Sequence, residues 1–224
     1  MNQHISNLII EFILIFLAAI YMFPIFCVFV TSLRPTDAIL KTGFSLIPET
    51  IVFENYEKSF SYLAPKMINS FIIASGASIL TVFLGVFSAY IIARHRIRFA
   101  NTIAAVLLTC NMIAPQLYLV PLFLIEDSLH LRNTYQGLIF AHVGFQLGFT
   151  IFLLRNFFRL LPKDLEDAAV LDGCSVWALL FKILLPLIKP ALTTIFLLDF
   201  IWIWGDFLWA VVLIDSDSMW PVTV

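Results

Sequence analysis

Residues 67–93 read MINSFIIASGASILTVFLGVFSAYIIA, a run with no Asp, Glu, Lys or Arg. A helix rises about 1.5 Å per residue, so such a run is long enough to cross the ~30 Å hydrocarbon core of a bilayer. Three further charge-free apolar runs lie at 12–31, 103–125 and 135–154. A fifth, 191–213, has the length but carries Asp199 and Asp206. The composition agrees: 61% of the 224 residues are apolar and 12% charged, against roughly 45–50% and 25% in soluble domains. The reading is an all-α integral membrane protein with five readable transmembrane helices, one transmembrane domain over 1–224.

Other classes fall away on the same figures. A net charge of −2 excludes the basic surface of a nucleic-acid binder. Cys27, Cys110 and Cys174 lie in or beside apolar segments without a CxxC pair, which argues against a disulfide framework or a zinc site. The first run is no signal peptide, since no Lys or Arg precedes it and it is too long for an h-region.

Basic residues orient the spans. The segment after the second span holds Arg94, Arg96 and Arg98, and the segment after the fourth holds Arg155, Arg159, Lys163, Lys182 and Lys189. The first loop balances Arg34, Lys41, Lys58 and Lys66 with Asp37, Glu49, Glu54 and Glu57, and the loop after the third span has Arg132 alone. The N-terminus and both basic loops are therefore expected in the cytoplasm. Five spans leave the C-terminus outside, where the chain stops at Trp220-Pro221-Val222-Thr223-Val224.

The loop 155–190 has structure of its own. Pro162-Lys163-Asp164-Leu165-Glu166 is a helix start, with proline and acids where the helix dipole favours them. That helix is expected to stop at Asp172-Gly173. A second begins near Ser175, an N-cap, carries Trp177, Leu180, Phe181 and Leu184 at helical spacing, and ends at Pro186 and Pro190. Two short amphipathic helices with a glycine hinge make either a docking surface or a helix pair lying on the membrane.

Leu161-Pro162-Lys163-Asp164-Leu165-Glu166-Asp167-Ala168-Ala169-Val170-Leu171-Asp172-Gly173, followed by Leu185-Pro186-Leu187-Ile188-Lys189-Pro190-Ala191-Leu192, resembles the EAA loop of bacterial ABC-importer permeases. The chain is most similar to the carbohydrate-uptake branch, the maltose-type "G" permease. Ser32-Leu33-Arg34-Pro35, Asn55-Tyr56, Asn69-Ser70, Ala89-Tyr90 with Ala93-Arg94, Pro121-Leu122, Asn133-Thr134-Tyr135 and Trp204-Gly205-Asp206-Phe207 extend the resemblance over nearly the whole chain. Three positions depart from it. The first acid of the EAA signature is Asp167, one methylene shorter than glutamate, and Gly205 stands where the family has asparagine. The family also continues through a further outer segment and a sixth span, so a C-terminally truncated chain is expected.

The resemblance implies a type I importer permease of six helices, in which the loop is a coupling helix seated in a cleft of a cytoplasmic ATPase dimer. ATP and Mg would be bound by that partner, a second permease subunit would complete the pathway, and an extracytoplasmic solute-binding protein would deliver the solute. Asp167, Ala168, Ala169, Asp172 and Gly173 would be the coupling residues. On their own chemistry, two alanines permit close approach and a glycine permits the positive φ that ends a helix. The chain has no GxxxxGK[ST] phosphate cradle, so it is expected to be a transport subunit without ATP hydrolysis, cofactor or metal of its own. Its place is the bacterial cell membrane, multi-pass, with the N-terminus inside.

Ionisable groups within a membrane are costly and mark candidate sites. On one continuous helix Asp199 and Asp206 stand about 10 Å apart along one face, with Trp202 and Trp209 three residues after each. Carboxylates accept hydrogen bonds from hydroxyls and indoles cover C–H-rich ring faces, so the four residues make a candidate sugar path. The alternative places Trp209 in an aromatic belt and the acids against a neighbouring helix. His142 and Gln146, an i, i+4 pair, are expected to bond between helices with Asn111 and Gln116. Ala74, Ser78, Gly85 and Ala89 are spaced for close helix packing. Other solutes remain open: a polyol, a glycerol-phosphate-like compound or a compatible solute. Gly205-Asp206 is similar to part of the GxGD motif of intramembrane aspartyl proteases, a remote alternative, with Ile203 where the first glycine belongs.

Overall fold

The computed structural model describes residues 2–43, 50–95 and 97–224. Glu49 and Arg96, counted above among the loop charges, lie outside the described residues, as does the side chain of Lys41. The described residues form helices and no strand: α1 (Asn2–Ser32), α2 (Thr36–Thr42), α3 (Glu54–Arg94), α4 (Ala100–Asn111), a 3₁₀ turn at Pro115–Tyr118 and α5 (Leu119–Ser128). There follow α6 (Tyr135–Leu160), α7 (Asp164–Leu171), α8 (Val176–Leu187), α9 (Lys189–Trp204), α10 (Leu208–Leu213) and a last 3₁₀ turn at Asp217–Met219.

Three stretches are long and apolar enough to cross a membrane unbroken: Asn7–Ser32, α3 and α6. The other two expected spans are broken. The run 103–125 bends by 91° between Ala100–Asn111 and Pro115–Ser128. Pro115 has no N–H to continue the ladder, and it forces Ala114 before it to extended angles (φ −56°, ψ 127°). The run 191–213 stops at Trp204 and resumes at Leu208. Here Asp206 competes with the helix, because its Oδ2 accepts the backbone N–H groups of Trp209 (3.2 Å) and Ala210 (3.3 Å) and so starts a new one.

The loop boundaries shift as well. α6 runs on to Leu160 instead of ending at 154, because Arg155 and Arg159 end an apolar run without ending a helix, and basic groups suit a helix C-terminus. Pro186 sits inside α8, and the turn into α9 falls at Ile188 with a bend of 78°. α8 winds as a π-helix over Leu179–Leu184.

Residues 1–64 and 65–224 form two compact units. In the first, α1 is apolar all round and leaves Phe12, Tyr21 and Val28 exposed, the surface of a helix solvated by lipid or by other helices. Asn55 Nδ2 donates to the carbonyls of Ser32 (3.0 Å) and Arg34 (2.8 Å). The hydroxyls of Ser32 and Tyr56 meet at 2.6 Å, and Arg34 donates to the Gly43 carbonyl at 2.7 Å. Two patterns quoted from the sequence, Ser32-Leu33-Arg34 and Asn55-Tyr56, thus tie to each other.

The second unit is built on α3 and α6. They run parallel: Tyr135 Oη donates to Asn69 Oδ1 at one end (2.9 Å), and Arg94 Nη2 donates to the Leu161 carbonyl just past the other (2.9 Å). Between these points the small residues do what their spacing predicts. Ala74, Ser78 and Ala89 are fully buried, and a Cβ on Gly85 would meet Thr150 Cγ2 at 2.6 Å. α4 packs antiparallel on α6: Arg155 donates to Asn101, a Cβ on Gly148 would meet the Leu107 carbonyl at 2.7 Å, and Asn111 Nδ2 donates to the Phe145 carbonyl at 2.9 Å.

Candidate functional site

Two parts of the 65–224 unit carry the residues singled out above. The first is its basic end. α7 opens with Asp164, Glu166 and Asp167 in its first turn, where its free N–H groups favour acids. It closes in a Schellman motif: Gly173 takes φ +78°, its N–H bonds to the Val170 carbonyl (3.0 Å), and the Cys174 N–H reaches the Ala169 carbonyl (2.9 Å). Ser175 then caps α8 through the N–H of Ala178 (3.3 Å). Glycine, acids and cap therefore act locally, as their order in the sequence implies.

Their outward positions divide the group. Asp167, Ala168, Asp172 and Gly173 are exposed, whereas Ala169 is buried in the cluster formed with Leu154, Phe158, Leu180 and Leu184. Beside the exposed positions stand Val170 (61% exposed), Leu171 (87%), Val176 and Trp177 (65%). Trp177 stacks on Phe181 and meets Phe87 edge-on. An apolar surface with an acidic border is thus presented on two short helices.

A contact between elements distant in sequence ties α7 to α3. Arg94, the last residue of α3, places Nε 2.5 Å from Glu166 Oε1, while its Nη2 bonds to the Leu161 carbonyl. Both side chains are largely buried. In the sequence Arg94 is a loop charge and part of the Ala93-Arg94 pattern, and Glu166 is a first-turn acid within the run Leu161–Gly173. The available signal was that each belongs to a separate quoted pattern, Ala93-Arg94 and Glu166-Asp167.

The second part lies within the membrane segments. Asp199, Trp202, Asp206 and Trp209 do not ride one helix: the first two are on α9, Asp206 is in the break and Trp209 is on α10. Asp199 is 1% exposed and its Oδ2 accepts the Thr150 hydroxyl at 2.9 Å. Asp206 caps α10, stands 3.8 Å from His142 Nε2, and takes a bond from Thr223 on its own carbonyl. Trp209 is buried and stacks on His142, centroids 5.2 Å apart. The two carboxyl groups thus hold separate partners, Thr150 for one and backbone N–H groups for the other.

The structure assembles a different set. At the α4–α5 bend a cavity of about 350 Å³ is lined by Asn111, Phe145, Gln146, Phe149, Asp199 and Trp202, among others. Gln146 is 5% exposed, and its amide makes no hydrogen bond among the described residues. Of the interhelical bonds expected for the span amides, Asn111 makes one, to Phe145, while Gln116 lies exposed in the 3₁₀ turn. A larger cavity of about 510 Å³ on the other side of α6 is apolar apart from Asn111, Tyr118 and the buried Glu126.

Apolar helices that break within their spans, a cavity at the α4–α5 bend lined by Asn111, Gln146 and Asp199, and a strapped helical loop at the basic end are the features of a membrane transport subunit. The chain belongs to the family described as the binding-protein-dependent transport system inner membrane component, which matches residues 81–222. It is 34% identical over 213 residues to the diacetylchitobiose uptake system permease protein NgcG of Streptomyces coelicolor, covering 94% of this chain and 70% of that one. It is 35% identical over 199 residues to the trehalose transport system permease protein SugB of Mycobacterium tuberculosis, covering 88% and 72%. Its fold superposes on that of a bacterial ABC transporter involved in the import of the acidic polysaccharide alginate, with a TM-score of 0.84 and 25% identity, covering 99% of this chain and 78% of that one. The chain is a multi-pass permease subunit of an ABC importer, which works with an ATPase and a substrate-binding protein.

Proposed function

We propose that the chain forms part of the translocation path for a sugar or oligosaccharide and couples to its ATPase through α7 and α8. Residues 1–224 act together as permease domain, with the N-terminus and the basic end in the cytoplasm. The single observation that carries the coupling is the strapped loop. Glu166 is tied back to Arg94 and Ala169 is packed inward, so Asp167, Ala168, Asp172 and Gly173 are free to meet a partner. Leu171 and Trp177 supply apolar area to bury there, and Asp167 and Asp172 supply charge for a basic rim.

A push on α7 passes through the Arg94–Glu166 pair and the Leu161 bond into α3, and through α8 into α9. A rigid lever of this kind turns closure of an ATP-bound ATPase dimer into movement of membrane helices. Hydrolysis, with its ATP and Mg, belongs to that dimer, and a second permease subunit completes the path. Similarity to permeases named for diacetylchitobiose and trehalose supports the sugar class. In the path, Asp199 and Trp202 face solute, while Asp206 and Trp209 hold the α9–α10 break in shape.

The test is co-purification with the ATPase and sister permease, followed by uptake in proteoliposomes. Capture of the ATPase by the native chain, lost on Gly173→Val, is the expected result, because valine resists positive φ. Retained capture in Gly173→Val, with the chain properly inserted, sinks the assignment of the loop. A complex that hydrolyses ATP but accumulates no sugar sinks the substrate class alone.

A further inference from the structure

Asp199 and Gln146 are both more than nine-tenths buried and line the cavity at the α4–α5 bend. Neither is saturated. Asp199 spends Oδ2 on the Thr150 hydroxyl, while Oδ1 accepts no bond among the described residues. Gln146 has an amide donor and an amide acceptor unused. Polar groups in an otherwise apolar lining need partners, and these two border the cavity, where a ligand or water completes their bonding. Thr150 fixes the carboxylate so that its free oxygen is presented in one orientation. Phe145, Phe149 and Trp202 supply aromatic surface in the same cavity.

We infer that this cavity is a solute-contact subsite for a neutral, polyhydroxylated ligand, a sugar unit. Asp199 Oδ1 accepts hydroxyl hydrogens, Gln146 donates to one hydroxyl and accepts from another, and Trp202 at the rim covers the C–H face of the ring. The chemistry discriminates among the other solutes. A phosphate-bearing solute meets a carboxylate of like charge. A quaternary ammonium satisfies the aromatic rings and the carboxylate but leaves the Gln146 amide unpaired. The inference rests on the import reading above and goes beyond it by locating the contact in the cavity at the α4–α5 bend and adding the Gln146 amide to it.

The experiment uses the complete importer in proteoliposomes with its binding protein, and a panel of labelled di- and trisaccharides that includes trehalose and diacetylchitobiose. Sugar taken up per ATP hydrolysed is compared between wild type, Gln146→Leu, Asp199→Asn and Trp202→Ala. Loss of one hydrogen bond to the moving solute is expected to lower that ratio about tenfold in the first two. Trp202 is 64% exposed, so its truncation leaves the fold intact and keeps the test open if a buried variant fails to insert. An unchanged ratio in all three overturns the subsite and leaves sugar import standing. So does a parallel fall in uptake and hydrolysis at constant ratio, the mark of a packing role or of contacts to the second permease. Wild type that takes up no sugar in the panel overturns both.

Discussion

The two ends of the 65–224 unit are finished in opposite ways. At the basic end, α7 is fastened to α3 by the buried Arg94–Glu166 pair and the Arg94 bond to the Leu161 carbonyl, α8 is seated through Leu179, Leu180 and Leu184 in an apolar cluster, and Leu171 and Trp177 turn outward. At the opposite end, the tail after α10 is laced down. Asn133 Oδ1 accepts the N–H groups of Asp215 and Ser216, its Nδ2 bonds to the Ser216 hydroxyl, and its own N–H bonds to the Leu213 carbonyl. Arg132 takes both oxygens of Asp215, Asn69 donates to the carbonyls of Ser218 and Trp220, and Lys66 pairs with Asp217. A buried apolar seat with a single ion pair suits a lever that moves as one piece; many distributed polar bonds suit a frame that stays put.

The largest effect is expected at the one buried ion pair that ties α7 to α3. Arg94→Ala leaves Glu166 buried without its partner, and breaking a buried ion pair from one side costs about 3–5 kcal/mol. Loss of coupled uptake and a lowered unfolding midpoint are the expected readouts. The exchange Arg94→Glu with Glu166→Arg returns part of both. An Arg94→Ala importer that transports like wild type would remove the lever from the comparison.

The same contrast explains what could be read beforehand. The basic end was legible because its signals are local: acids in a first turn, Gly173 at the stop, Ser175 at the next start. Hydropathy also located the apolar runs, but it is blind to backbone breaks. It could not see that Pro115 would fold 103–125 back by 91°, or that Asp206 would spend its carboxylate on Trp209 and Ala210. The cavity was illegible for a further reason. Asn111, Gln146 and Asp199 come from three helices, and nothing in their spacing along the chain brings them together.

A smaller effect is expected at the laced end. Asn133→Ala removes three side-chain hydrogen bonds to the tail, each worth about 1 kcal/mol net, so a loss of about 2–3 kcal/mol is expected. The readout is faster proteolysis of the 214–224 segment with ATPase capture unchanged. If capture falls too, the two ends are not independent, and the frame-and-lever distinction fails.

Asp206→Ala comes next. It removes the cap of a short helix, a loss of about 1 kcal/mol, and frees the ladder to run through Gly205, whose φ of −82° any residue accepts. Two consequences pull apart. If the break serves only packing, stability falls slightly and transport follows it in proportion. If α9 and α10 must turn separately during transport, uptake falls well beyond the change in stability.

The smallest effect on stability falls on the surface that most needs a partner. Trp177 is 65% exposed and contributes two ring contacts, to Phe87 and Phe181, each worth about 0.5–1.5 kcal/mol when well packed. Exposure reduces that, so Trp177→Ala is expected to unfold within about 1 kcal/mol of wild type. Yet a large exposed indole on the proposed docking face is the kind of group that dominates an interface. ATPase capture is therefore expected to drop by an order of magnitude or more, about 1.4 kcal/mol per tenfold. A residue that matters little to the folded chain and greatly to its complex is what a lever surface requires. If Trp177→Ala captured the ATPase normally while Leu171→Ala did not, the contact would belong to α7 alone, and α8 would serve to carry the motion into α9.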